Sequence, residues 1–153
     1  YDLSELPIPL DAVDEAETVT PRVLDMEAIR RFMFTIGPVS SLFDFITFAV
    51  LLKVFEASEA LFQTGWFVES LCTQVLVIFV IRTRGNPLHS RPHPVLTVTS
   101  LLVVAVALIL PWTPLGTLFG FTPLPPAFYA VLVLMVAVYL ALVQGLKRWA
   151  LRR

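Results

Sequence analysis

Four apolar runs, each about as long as a bilayer is thick, constrain this chain more than any other feature. Residues 32–52, 61–81, 95–112 and 127–146 are nearly free of charge and are bounded by basic residues or prolines. About 20 residues of α-helix rise 30 Å, which matches the hydrocarbon core. In that medium every backbone N–H and C=O must be satisfied internally, so a spanning run of this kind is read as a helix. The composition agrees. Of the 153 residues, 57% are hydrophobic and 15% charged, against about 25% charged in soluble domains. The expected fold class is an all-α membrane protein. Residues 30–153 form a bundle of four transmembrane helices, and residues 1–29 form a polar acidic segment before it.

Charge is unevenly distributed along the chain. Residues 1–29 carry eight acids against the single base Arg22, and no acid follows Glu69. Arg22, Arg30 and Arg31 precede the first run. Arg82, Arg84 and Arg91 lie between the second and third, and Lys147, Arg148, Arg152 and Arg153 follow the fourth. Four spans return the chain to its starting side, so these ten bases share one face, while Lys53 alone marks the other. Positive charge stays inside, and both ends are therefore expected to be cytoplasmic, in a multi-pass protein of the cell membrane. Trp112 and Tyr129 sit where interfacial aromatic anchors are expected. Asp25 is placed to cap the first long helix, with Glu27 in its first turn.

The sequence excludes several function classes. One cysteine, Cys72, allows neither an internal disulfide nor a cysteine-based zinc site; it reads as a packing residue. His89 and His93 are four apart, but Pro87, Pro92 and Pro94 break the helical register that would align them on a metal. There is no phosphate-cradling glycine loop, no serine–histidine–acid set and no HExxH, so the chain offers no candidate for ATP binding or hydrolysis. No nucleic-acid-binding surface is evident. The chain opens on Tyr1-Asp2 with no basic region before an apolar core, so no signal peptide is expected and the chain reads as a piece of a longer one.

Two acids inside the apolar runs draw attention. A charge at mid-membrane costs a few kcal/mol or more on about any scale. Asp44 lies near the centre of the first run, and Gly37, Ser40, Ser41, Asp44 and Thr47 recur at helical spacing on one face. Small residues there would admit a second helix closely. Asp44 is then either part of an ion pathway or a polar lock between helices. Glu69 lies in the second run, which also holds Gln63, Thr64, Ser70, Thr73 and Gln74. Carboxylate, amide and hydroxyl oxygens suit hard cations, a proton relay would use the same acids, and interhelical hydrogen bonding is the structural alternative.

Several strings together resemble the C-terminal end of a P-type cation-transporting ATPase, of the bacterial magnesium-translocating branch. They are YDLSELPIPLDAVDE (1–15), RRFMFTIGPVSSLFDFITF (30–48), LFQTGWFVESLCTQ (61–74), VIRTRGNPLHSRP (80–92) and LPWTPLG (110–116). The GPVSSLFDF and FQTGWFVESLCTQ blocks are specific, whereas the last two runs are generic. The resemblance implies that residues 1–29 are the end of helix six and the cytoplasmic loop after it. The four spans are then helices seven to ten of a ten-helix pump that couples ATP hydrolysis to cation transport. The implied transported ion is Mg2+, and ATP is used by the intact pump through domains that carry DKTGT, absent from this chain. The implied partners are the lipid bilayer, the magnesium ion and the remaining membrane helices and cytoplasmic domains of the same pump. The resemblance also implies cation ligands. Asp2 matches the acidic position of helix six, Gln74 falls about where helix eight contributes a ligand, and Glu69 lies one and a half turns earlier, so Glu69 and Gln74 stay open as alternatives. Asp44, with Ser40, Ser41 and Thr47, is expected to be structural or to line the pathway. Two other functions compete with this one: a self-contained four-helix proton-coupled transporter, and a helix-packing module with no catalytic part.

Overall fold

The computed structural model describes residues 2–11, 23, 25–83 and 86–150. Most of the acidic segment, Arg22, Arg84, Arg152 and Arg153 lie outside the described residues. A single helical turn, α1 (Asp2–Glu5), is followed by a 3-10 turn, Ile8–Leu10. Four long helices follow: α2 (Met26–Lys53), α3 (Glu59–Ile81), α4 (Pro94–Ile109, continued by a 3-10 turn to Trp112) and, after the short α5 (Pro114–Leu118), α6 (Pro126–Ala150). The four long ones are each long and apolar enough to cross a membrane. No strand occurs among the described residues.

Local chemistry explains where the helices begin. The Asp25 carboxylate accepts from the backbone N–H groups of Glu27 and Ala28, both at 3.0 Å, as the sequence led one to expect. Ser58 caps α3 by accepting from Leu61 N–H. His93 caps α4 through Nδ1, which accepts from Val95 N–H at 3.2 Å; that nitrogen is thereby committed to structure. α2 begins six residues before its apolar run, because the Asp25 cap, and not the first apolar residue, sets its start. α6 runs through Lys147 and Arg148 to Ala150, past the point where its apolar run ends. Basic residues suit the last turn of a helix and give no reason for it to stop.

α3 and α6 form the centre of the bundle. α2 packs on both, and α4 packs on α3. Two apolar clusters fill the interior. One holds Leu51, Val68, Cys72, Leu124, Phe128 and Leu132; the other holds Ile36, Phe43, Val80, Tyr139 and Val143. Cys72 is a buried free thiol of the first cluster. Between the clusters lies a layer of polar side chains that includes Asp44, Thr47 and Glu69.

Candidate functional site

The polar layer is built from three helices. On α2, Asp44 and the buried Thr47 lie one turn apart. On α3, Trp66, Glu69, Ser70 and Thr73 recur at three- and four-residue spacing, so they share a side of that helix. On α6, Tyr139 points into the same layer, its hydroxyl 2.8 Å from Ser40 Oγ.

Asp44 joins α2 to α3. Its Oδ1 accepts from Trp66 Nε1 at 3.3 Å and from Ser70 Oγ at 3.4 Å. Glu69 sits deeper, only 1% exposed. Its polar neighbours are the Asp44 carboxylate and the hydroxyls of Thr47 and Ser70. The Glu69 Oε2 atom is buried with no hydrogen-bond partner. Thr47 spends its own proton on the Phe43 carbonyl at 2.9 Å, and Thr73 bonds back to the carbonyls of Glu69 and Ser70. An ionised carboxylate in such a setting is costly unless a cation or a proton neutralises it. The arrangement therefore offers a cluster of hard oxygen donors with one carboxyl oxygen unsatisfied.

The sequence-derived residues divide into two groups. Asp44, Thr47 and Glu69 come together, with Ser40 joining through Tyr139. Gln74 is exposed on the outer side of α3, in an open groove it shares with Gln63, Trp66 and Ser70. Asp2 is exposed on α1, which packs mainly against α4. Ser41 and Gly37 face outward, and a Cβ at Gly37 would meet nothing within 4 Å. Close helix approach comes instead at Gly65 of α3, where a Cβ would lie 2.7 Å from Leu51 Cδ2. Among the described residues, no three His, Cys, Asp or Glu side chains gather to hold a metal ion; any cation here would depend on hydroxyl and carbonyl oxygens as well as on the two acids.

Sequence reasoning did not single out Trp66, Tyr139, the burial of Lys147 or the Arg82–Asp11 pair. Tyr139 lies in an otherwise apolar run, and a tyrosine hydroxyl buried in a span needs a partner; that was the available signal. Lys147, expected to border the membrane, is 1% exposed. Its Nζ donates to the carbonyls of Val80 at 2.6 Å and Thr83 at 2.8 Å, at the C-terminal end of α3. Arg82 pairs with Asp11 at 2.5 Å and donates to Ser90 Oγ and to the Arg91 carbonyl. Asp11 also accepts from His93 N–H at 2.6 Å. No local pattern announces a contact between residues 71 positions apart.

Residues 14–149 match the family described as "Cation transporting ATPase, C-terminus". The whole chain is 40% identical to part of a "Magnesium-transporting ATPase, P-type 1" of Salmonella typhimurium strain LT2, covering 17% of that protein. It is 36% identical to the protein of the same name from Escherichia coli K12, covering 18% of it. The chain thus spans less than a fifth of the length of these relatives. Their alignment covers every residue of this chain, and the family match includes all four apolar helices and the polar layer between them. The chain therefore belongs to the C-terminal family of the cation-transporting ATPases.

Proposed function

We propose that this chain is the C-terminal membrane domain of a magnesium-transporting P-type ATPase and that its polar layer lines the cation pathway. Residues 30–153 are the four-helix transmembrane domain, and residues 1–29 are the end of a preceding helix with its cytoplasmic loop. Both ends of the segment face the cytoplasm, a reading supported by ten basic residues on one side against Lys53 on the other. ATP is bound and hydrolysed by the remainder of the pump.

The observation that carries the site is the unpartnered Glu69 oxygen beside Asp44, buried between two apolar clusters. In this account Glu69 is the anionic ligand contributed by α3, with Thr47 and Ser70 supplying neutral oxygens. Asp44, held by Trp66 and Ser70, adds negative charge and fixes the spacing of α2 and α3. Gln74, exposed in the groove it shares with Trp66 and Ser70, faces the other helices of the pump, and Asp2 joins the site only through the helix that precedes it.

The test is magnesium uptake by the full-length protein in proteoliposomes. Glu69→Gln is expected to lower uptake at limiting Mg2+ by about tenfold, the effect of losing roughly 1.4 kcal/mol of ligand interaction. Gln74→Ala is expected to change it less. Wild-type uptake by Glu69→Gln would reject Glu69 as a ligand. Proton-dependent dye export by this chain alone would favour the small proton-coupled transporter instead.

A further inference from the structure

The connection between α4 and α6 is unlike an aqueous loop. Residues 113–126 contain no charged side chain. At its centre α5 has two distinct sides. Its inner side closes on the end of α4 at Gly116, which is buried and where a Cβ would run into the Leu110 carbonyl oxygen. Its outer side presents Leu115 and Leu118, three residues apart, with Phe119 following. Leu118 is 80% exposed and Phe119 70%.

The side-chain hydroxyls of Thr113 and Thr117 are satisfied from within the segment and the end of α4. Thr113 Oγ1 donates to the Leu110 carbonyl and accepts from Gly116 N–H. Thr117 Oγ1 donates to the Pro114 carbonyl. The N–H groups of Phe119, Gly120 and Phe121 bond to carbonyls of residues 115–117. Gly120, at φ +78°, makes the sharp exit that this closure needs. Both threonine hydroxyls and the N–H groups of residues 119–121 are thus met without water, while four large apolar side chains, counting Trp112, would be hydrated if water were there.

The segment is also pinned. Thr122 N–H donates to Thr64 Oγ1 at 3.1 Å, and Phe121 stacks on Phe67 with ring centroids 4.9 Å apart. Trp112 Nε1 donates to the Tyr129 hydroxyl at 2.7 Å, which donates in turn to the Leu108 carbonyl. The exposed apolar surface of α4 runs without interruption into it: Val106, Ile109 and Trp112 follow one another at three-residue spacing, all exposed.

We propose that α5 is an interfacial anchor: Leu115, Leu118 and Phe119 insert into the headgroup–acyl boundary of the bilayer, continuing the lipid-facing surface of α4. The occupant is lipid, because the patch is charge-free, its threonine hydroxyls and the N–H groups of residues 119–121 are bonded internally, and it continues the exposed apolar surface of a spanning helix. An interfacial helix buries its apolar side about 5–10 Å into that boundary, and the Trp112–Tyr129 pair sits at the depth where aromatic residues collect. The anchor would hold the hairpin of α4 and α6 at a fixed depth, and with it Tyr139 against the polar layer. This inference is independent of which ion the pump carries.

The experiment places a bimane fluorophore on Leu118→Cys, and separately on Leu115→Cys, in the full-length protein in phosphatidylcholine vesicles. All other cysteines, Cys72 among them, are replaced by serine. Glu56→Cys, in the charged turn between α2 and α3, serves as the water-exposed reference. Quenching by a shallow doxyl-labelled lipid is expected to be at least threefold stronger at 118 than at 56, with iodide quenching correspondingly weaker. Iodide quenching equal to that at 56 would overturn the proposal in favour of an aqueous loop. Weak quenching by both agents at both positions would overturn it in favour of a cover formed by another part of the protein.

Discussion

Glu69 is costly to bury, and its setting shows how a membrane protein holds such a residue in place. Its helix is fixed at both ends of the bundle by other contacts: Gly65 meets Leu51 on one side, and Lys147 holds the carbonyls of Val80 and Thr83 at the far end. Lys147 combines hydrogen bonding with the favourable placement of a cation at a helix C-terminus. Replacing it with Met keeps most of the volume and removes all three N–H donors. Lys147→Met is expected to destabilise the domain by about 1–3 kcal/mol, the cost of leaving buried acceptors unmade. Thermal unfolding of the detergent-solubilised protein checks this, and an unchanged midpoint would show that the cap contributes nothing. Asp44 and Glu69 were legible in the sequence because ionisable residues are rare in spans. The burial of Lys147 was not, since a lysine at the end of an apolar run reads first as a boundary marker.

At the level of elements, helix spacing rests on one position that the sequence pattern did not single out. The small residues of α2 suggested close packing at Gly37 and Ser41, yet both face outward. The approach occurs at Gly65, where α3 admits Leu51 of α2 and Phe128 of α6. A glycine motif shows that close contact is affordable, but rotation of the helix decides whether it is used. Gly65→Val puts methyl groups where Leu51 already lies. It is expected to cost about 1–3 kcal/mol through overpacking, with partial rescue by Leu51→Ala, again measured as thermal stability. Equal stability of Gly65→Val and wild type would mean that α2 and α3 are not packed here. Each of the four apolar runs falls within one long helical stretch, because length and hydropathy mark such helices in a sequence. Helix ends were less readable, because caps such as Asp25 and Ser58 set them.

The molecule as a whole is arranged as two apolar clusters with polar side chains between them, tied together at one end by Asp11. That carboxylate binds Arg82 at the end of α3 and His93 N–H at the start of α4. The segment before α2 is thereby fixed to the helix that carries Glu69. In the proposed pump, movement of the preceding helix would reach α3 through this junction. Architecture and family were legible from apolar runs and specific strings. The grouping of Asp44, Thr47 and Glu69, and the separation of Gln74 and Asp2 from them, required the three-dimensional packing, because residues on one helix face opposite neighbours after a turn of only 100° per residue. The most direct measurement is ATP hydrolysis by the full-length pump with Mg·ATP held saturating while free Mg2+ is varied. The account predicts that Glu69→Gln raises the half-activating Mg2+ concentration by about tenfold, or 1.4 kcal/mol, with the maximal rate largely kept. A titration curve identical to wild type would contradict it.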